Sequence, residues 1–192
     1  DFTFIDLFAG IGGTRMAFEQ AGGRCLFTSE YDDFCVKTYK ANFRPDHDVV
    51  GDIREVTTTP ERVVAMVPDH DVLVAGFPCQ PFSVAGKQLG ADDPRNMWPD
   101  TIRIIREVRP RYALLENVPG LLSSGYFGDI LGDLAACGYD VRWRVLSAAE
   151  LGAPHKRDRL WIAASRSGIS NAEHNGSSWG RQDEYERECE KM

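Results

Sequence analysis

Cys79 is the first residue of this chain whose position suggests chemistry. It lies in "GFPCQPFS", between Pro78 and Pro81, shortly after the apolar segment "DVLVA" that ends at Ala75. Open α/β sheets bind their ligands beyond the carboxyl ends of their strands, and Cys79 follows such an end. The thiol could be a buried filler, a redox group, a metal ligand or a nucleophile.

The distribution of cysteine and histidine disfavours two of these roles. The five cysteines contain no CxxC pair, and the four histidines show no spacing typical of metal ligands. An odd number of scattered cysteines indicates reduced thiols rather than a disulfide framework or a zinc site. We therefore predict no metal.

Glu116, in the segment "YALLENV", follows the next apolar strand segment. Neighbouring parallel strands would bring its carboxyl group close to Cys79. A carboxyl beside a thiol is not the Cys–His pair of a protease. It does suit alkylation of a pyrimidine at C5: a thiolate adds to C6 and makes C5 nucleophilic, while an acid group on N3 and an arginine on O2 stabilise the developing charge. Basic residues cluster at Lys156, Arg157 and Arg159, for which a solvated hairpin end is the plainer interpretation.

A second group of residues indicates a nucleotide-like ligand. The glycines of "DLFAGIGG" follow the first strand segment, where the chain must turn tightly and approach a ligand, but Arg15 breaks the GxGxxG pattern. Glu30 and Asp52 end the next two strand segments, and Tyr31 could stack on a base. Each carboxylate alone could equally be a helix cap. Together they favour an adenosine ligand, and S-adenosylmethionine over NAD.

The chain alternates strand and helix patterns, which predicts an α/β fold: a doubly wound, mostly parallel sheet that ends in an antiparallel hairpin. The last two strands pair antiparallel because their connection is too short for a helical crossover. The predicted strands are residues 2–8, 24–31, 48–53, 71–77, 112–118, 139–148 and 159–165, and the predicted helices are residues 14–21, 32–43, 59–67, 101–108 and 127–138.

Composition predicts one catalytic domain over residues 1–165 and a polar linker or tail over 166–192. The chain has 192 residues, 43% of them hydrophobic, which suffices for one core. No segment reaches the roughly 20 apolar residues of a membrane span, and the start at Asp1 suggests a trimmed chain of a cytoplasmic protein. The net charge of −7 argues against nucleic-acid binding at face value, although basic residues cluster locally.

Four segments in this order and spacing resemble the cytosine-C5 DNA methyltransferase family: "DLFAGIGG", "GFPCQPFS", "ENV" and "GAPHKRDRLWI". The resemblance covers about residues 2–165. It implies methyl transfer from S-adenosylmethionine to C5 of cytosine in DNA, on a base flipped out of the duplex. The sequence departs from the family pattern at His155, where glutamine is usual.

The resemblance also implies a role for individual residues. Cys79 would be the nucleophile, Glu116 the partner of N3, Arg159 the contact to O2, and Arg157 a support for the thiolate. A loop from Gln80 to about Trp98 would close over the base. The implied cofactor-binding residues are Phe8, Ala9, Gly10, Ile11, Gly12, Gly13, Glu30, Tyr31, Asp52, Ile53, Pro78 and Met97, and the implied DNA contacts are Gln80, Ser83, Lys87 and Arg95.

Nothing after Ser165 resembles the family's target-recognition region or its final segments. We therefore expect that the chain is a fragment, or that a second polypeptide carries the recognition region. We also expect a cytoplasmic monomer that acts on nucleoid DNA in a restriction-modification system. Two alternatives stay open: methylation of cytosine in RNA such as tRNA, and a non-catalytic module that binds S-adenosylmethionine or DNA.

Overall fold

The computed structural model describes residues 1–78 and 95–168, and the backbone of residues 180–181. These residues form two compact units, residues 1–77 with 97–113, and the described parts of 78–96 and 114–192. The strands are β1 (Phe2–Leu7), β2 (Gly23–Ser29), β3 (Val49–Val50), β4 (Val72–Ala75), β5 (Tyr112–Asn117), β6 (Tyr139–Ser147), β7 (Asp158–Arg166) and β8 (Gly180–Arg181), and the helices are α1 (Gly13–Gln20), α2 (Asp33–Phe43), α3 (Pro60–Met66), α4 (Trp98–Val108) and α5 (Tyr126–Ala136).

The first unit contains four parallel strands in the order β3-β2-β1-β4. The sequence "FTFIDL" of β1 is almost entirely apolar, as expected of a strand covered on both faces. Phe4 of β1 packs on Phe18 of α1, with ring centroids 5.1 Å apart. This arrangement brings the carboxyl ends of β1 and β2, with the loops that follow them, to one edge of the sheet.

Two helices of this unit begin where the sequence predicts. Asp32 caps α2 by accepting a hydrogen bond from the backbone N–H of Cys35 at 2.9 Å. Thr59 caps α3 by accepting from the backbone N–H of Arg62 at 3.2 Å, with Pro60 at the first helical position. Both caps confirm the predicted starts, because each depends only on neighbouring residues.

Several element boundaries differ from the prediction, and two of these differences have a clear local cause. The strand expected over 48–53 is only Val49–Val50, because Asp52 instead caps a 3-10 turn over Ile53–Glu55 by accepting from the backbone N–H of Arg54. Helix α4 begins at Trp98, three residues earlier than expected, since Pro99 is tolerated in the first turn of a helix. Trp98 is buried against Phe77, with ring centroids 5.5 Å apart.

The second unit has the strand order β5-β7-β6-β8. Strands β6 and β7 pair antiparallel from Tyr139↔Arg166 to Ser147↔Asp158, which confirms the predicted hairpin. Helix α5 packs against this hairpin through Phe127, whose ring meets Trp143 edge-on at 5.1 Å. The short strand β8 pairs antiparallel with β6 and lies within the segment predicted to be a linker or tail. The boundary at residue 165 remains a prediction.

The fold class is the predicted one, an α/β fold with a mostly parallel, doubly wound sheet that ends in an antiparallel hairpin. Among the described residues, no helix combines the length and apolar character that a membrane crossing needs. In the same part of the chain, no three His, Cys, Asp or Glu side chains cluster as metal ligands would.

Candidate active site and cofactor loop

The loop after β1 has the tight, left-handed backbone that its glycines predicted. Gly10 and Gly12 have φ values of +55° and +93°, and Phe8, which is not glycine, has a φ of +58°. A non-glycine residue in this region is uncommon and marks a backbone held in place by its surroundings. The backbone N–H of Ala9 donates to the carbonyl of Ser29 at 3.0 Å, so the loop is attached to the end of β2.

Glu30 joins this loop to the segment after β2. Its Oε2 accepts a hydrogen bond from the backbone N–H of Gly10 at 2.6 Å, and its Oε1 accepts from the backbone N–H of Asp32 at 2.8 Å. Each carboxylate oxygen can accept a second hydrogen bond, so the residue can still bind hydroxyl groups. The backbone N–H of Glu30 donates to the carbonyl of Val50, which ties β3 to the same place.

The surroundings of Glu30 fit an adenosine group. Tyr31, next to Glu30, and Ile11, next to Gly10, are 75% and 60% exposed to solvent. Both therefore offer apolar surface to a ligand. A Cβ added at Gly10 or at Gly13 would meet no atom within 4 Å, which means that the loop is open on that side. Backbone N–H groups, a carboxylate and exposed apolar side chains are what binding of a nucleoside needs.

The remaining predicted cofactor residues have mixed environments. Asp52 binds the guanidinium of Arg54 through both oxygens, and this interaction holds the pKa of the Asp52 carboxyl below its ordinary value. Ile53 is buried, and Met97 is half-buried at the start of α4. Pro78 belongs to the second unit.

Glu116 and Arg159 form an ion pair in the second unit. Arg159 Nε lies 2.7 Å from Glu116 Oε1, and the two side chains are 26% and 29% exposed. Glu116 is near the end of β5, whereas Arg159 is at the start of β7, which runs next to β5 in the sheet. Arg159 also donates from Nη1 to the carbonyl of Asp158 at 2.8 Å, which fixes the guanidinium further. The structure therefore brings together two residues that the sequence singled out separately.

The turn before Arg159 is shaped by local contacts. Arg157 is exposed and has a φ of +39°, so its backbone adopts a left-handed conformation. Ser147 Oγ donates to the carbonyl of Lys156 at 2.7 Å, and the Lys156 ammonium lies 3.1 Å from a carboxylate oxygen of Asp158. His155 is exposed at this turn.

Four predicted residues, Cys79, Gln80, Ser83 and Lys87, lie outside the described residues. Arg95, the remaining predicted DNA contact, is exposed. Asn96 next to it is buried, and its amide donates to the hydroxyl of Tyr126 at 2.7 Å. The expected proximity of Cys79 to Glu116 stays a prediction.

Asp6 is a buried titratable group that the sequence analysis did not single out. It is 1% exposed in β1, and its Oδ2 makes no hydrogen bond to any described residue. Burial raises the pKa of Asp6 to about 7, the nearby Arg15 lowers this pKa, and Glu30 raises it. The signal in the sequence is an aspartate within the otherwise apolar strand "FTFIDL".

We expect Asp6→Asn to remove a pH dependence of folding stability. Above its ordinary pKa of 3.8 the unfolded chain loses this proton, whereas the folded protein keeps it up to about pH 7. The free energy of unfolding therefore falls by about 1.4 kcal/mol per pH unit in this window. Asparagine does not titrate, so the variant lacks this pH dependence. Urea unfolding at pH 5 and pH 7 should show the variant gaining about 2–3 kcal/mol over the parent chain. Asp140→Asn, at an exposed strand position, should show no comparable gain, and an equal difference at both pH values for Asp6→Asn would contradict the assignment.

Comparison with solved structures places this α/β fold among the methyltransferases. Two solved structures share the fold: a DNMT2 mutant from Spodoptera frugiperda, with 26% identity and a TM-score of 0.72, and a putative DNA modification methyltransferase encoded within a prophage of E. coli, with 27% identity and a TM-score of 0.72. The first alignment covers 91% of this chain and 53% of the other, and the second covers 86% and 47%.

The chain belongs to the C-5 cytosine-specific DNA methylase family, whose family model matches residues 2–189. The match runs further than the resemblance seen in the sequence, which ends near residue 165. Curated relatives include the Type II methyltransferases M.BsuFI of Bacillus subtilis and M1.ScrFI of Lactococcus lactis subsp. cremoris, each 44% identical, and M.HhaI of Haemophilus parahaemolyticus, 37% identical. These alignments cover 83%, 88% and 87% of the chain, which spans 38%, 43% and 50% of the three relatives.

Proposed function

We propose that this chain carries the catalytic part of an enzyme that transfers a methyl group from S-adenosyl-L-methionine to C5 of cytosine in double-stranded DNA. The observation that carries this proposal is the contact between Glu116 and Arg159 at 2.7 Å. An acid group and a guanidinium side by side can bind N3 and O2 of one pyrimidine ring. Cys79, which we expect to lie beside this pair, would then supply the nucleophile.

The reaction requires an addition and an elimination at the cytosine ring. The thiolate of Cys79 adds to C6, and the electron pair displaced from the C5–C6 bond makes C5 nucleophilic. C5 would then take the methyl group from the sulfonium of S-adenosylmethionine, which would leave as the neutral thioether S-adenosylhomocysteine. The C5 proton would leave to a base, and the C6–S bond would break to restore the thiolate. Glu116 would hydrogen-bond N3, and Arg159 would hold O2, so that both stabilise the charge that develops on the ring. Arg157 would favour the thiolate form of Cys79.

The cofactor would bind at the loop of residues 8–13, because this loop is open at Gly10 and bordered by Glu30 and Tyr31. When bound, S-adenosylmethionine supplies an electrophilic methyl group on a sulfonium. Glu30 would hydrogen-bond the ribose, and Tyr31 would stack on the adenine. Asp52 and Ile53 would border the adenine pocket, whereas Pro78 and Met97 would contact the methionine part.

DNA would bind with its target base flipped out, because C6 is not accessible to a thiol within the base stack. Gln80, Ser83, Lys87 and Arg95 would contact phosphates on a loop that closes over the base. Methylation of RNA is not favoured, since the matching family is one of DNA methylases and the curated relatives are named Type II methyltransferases.

We further propose that the protein acts as a monomer in the cytoplasm, on nucleoid DNA, within a restriction-modification system. A further segment or a second polypeptide would supply target recognition. The domain boundary near residue 165 belongs to this proposal. The competing function is a module that binds S-adenosylmethionine or DNA without turnover.

The proposal is tested by transfer of a radiolabelled methyl group from S-adenosylmethionine. The substrates are double-stranded DNA of mixed sequence, the same DNA with 5-methylcytosine in place of cytosine, and tRNA. We expect label only in the first, because the second has no free C5 position. Label in tRNA but not in DNA would overturn the assignment of the substrate. Calorimetric binding of the cofactor without any transfer would favour the non-catalytic module.

A further inference from the structure

The ring of Phe43 lies directly against the backbone of Gly12. A Cβ built on Gly12 would lie 2.1 Å from Cε2 of Phe43 and 2.9 Å from both Cδ2 and Cζ. Carbon atoms in contact are normally about 3.5–4.0 Å apart, so the ring occupies the space that a side chain at position 12 would need. Phe43 is the last residue of α2, whereas Gly12 is the residue before α1.

Arg15 holds this ring from the other helix. The Arg15 guanidinium carbon lies 5.2 Å from the centroid of the Phe43 ring and 5.4 Å from that of the Tyr39 ring. Cation–π contacts at such distances are attractive, more so when they are buried, and Arg15 is only 6% exposed. The two rings are themselves in contact, with centroids 5.1 Å apart. Phe43 therefore cannot move away from Gly12 without disturbing Arg15 and Tyr39.

Hydrogen bonds anchor the same group to the sheet. Arg15 Nη1 donates to the hydroxyl of Tyr39 at 3.1 Å, and that hydroxyl lies 2.8 Å from Oγ1 of Thr28 in β2. Arg15 Nε donates to Glu19 at 2.7 Å, one turn further along α1. Tyr39 and Thr28 are fully buried. The position of the Phe43 ring is thus fixed by α1, α2 and β2 together.

Gly12 in turn determines how the loop presents its backbone. Its φ of +93° directs the chain from the loop into α1. Its N–H donates to the carbonyl of Ala9 at 2.9 Å, and its carbonyl accepts from the N–H of Met16 at 3.0 Å. A shift of Gly12 would therefore change both the loop and the first turn of the helix.

We propose that Phe43, locked by Arg15, is a positioning residue for the cofactor loop. It holds Gly12 in its left-handed conformation and so keeps the backbone of residues 8–13 in the conformation that the ligand would meet. This inference rests on the proposed function, in which that loop binds S-adenosylmethionine. It assigns to α2 a role in binding although Phe43 itself does not touch the ligand.

A double-mutant cycle of Gly12→Ala and Phe43→Ala tests the proposal by calorimetric binding of S-adenosylmethionine. Gly12→Ala should weaken binding by at least about tenfold, because the new methyl group collides with the ring in a backbone region that alanine disfavours. Adding Phe43→Ala should recover at least about fivefold of this loss, since it removes the collision but not the backbone strain. Additive losses in the double variant would overturn the proposal.

A second measurement does not depend on the cofactor. In the ligand-free chain, Phe43→Leu should increase amide hydrogen exchange at residues 10–13 by at least about fivefold and weaken cofactor binding. Val63→Ala, a fully buried position on α3, is the matched control for general destabilisation and should change neither. Unchanged exchange in Phe43→Leu would also overturn the proposal. If the parent chain binds no S-adenosylmethionine, the proposed function fails, and the exchange measurement still decides the role of Phe43.

Discussion

Cys79→Ser is expected to abolish both methyl transfer and the covalent complex with DNA that carries 5-fluorocytosine. In the proposed mechanism the thiolate is the nucleophile, and a serine hydroxyl is not ionised near neutral pH and cannot replace it. In the parent chain, addition to C6 and methylation at C5 would proceed, but fluorine cannot leave as a proton does, so the thioether to C6 would persist. We expect a protein–DNA adduct that survives denaturing electrophoresis and depends on S-adenosylmethionine. Loss of the nucleophile should reduce turnover by about 10⁴-fold or more.

Cys35→Ser is the matched control for this substitution. Cys35 is a half-buried thiol in the first turn of α2, so its replacement makes the same chemical change at another site. We expect adduct formation at the parental rate. An adduct that persists in Cys79→Ser would contradict the role of Cys79. Absence of an adduct in the parent chain, with cofactor binding retained, would favour the non-catalytic module.

Glu116→Gln and Arg159→Ala are expected to give the second largest loss. Glutamine keeps the size of Glu116 but cannot share a proton with N3, which should reduce methyl transfer by about 10²–10⁴-fold. Arg159→Ala removes the donor to O2 and leaves the Glu116 carboxylate, which is largely shielded from solvent, without the guanidinium at 2.7 Å. We expect a loss of about 10²–10³-fold in the rate of the chemical step, measured in single turnover with saturating DNA.

The combined variant separates a joint role from two independent ones. If both side chains bind one ring, as proposed, the double variant Glu116→Gln with Arg159→Ala should have little less activity than the less active of the two single variants. Multiplicative losses would contradict a shared site. Lys156→Ala is the control for loss of positive charge at this turn, because the Lys156 side chain is 82% exposed and its ammonium forms a surface ion pair with Asp158. It should leave the single-turnover rate within about twofold, as expected for a surface ion pair.

Much of the fold follows from local sequence patterns. The caps at Asp32 and Thr59, the left-handed glycines after β1 and the antiparallel β6–β7 hairpin all depend on residues close in sequence. The prediction was wrong at β3, where Asp52 had two possible uses. The capping interaction with the N–H of Arg54 competes with strand pairing, and the sequence alone does not say which of the two is more stable.

The kind of chemistry at the site could also be predicted from the sequence. Residue types and their order predicted a thiol, a carboxyl and arginines for cytosine C5, and the family membership agrees with that prediction. The residue roles remain predictions. They depend on distances between strands, and a residue type carries no information about which oxygen or nitrogen lies within reach of another.

Only the tertiary structure decided which of these groups meet. It paired Glu116 with Arg159 in the second unit and Glu30 with Gly10 in the first, because within each unit segments that are distant in sequence lie side by side. It also buried Asp6 and placed Phe43 on Gly12, although neither residue belongs to a recognisable motif. Local pattern specifies each element and its candidate chemistry, whereas burial and contact come from packing between elements, which a linear pattern does not encode.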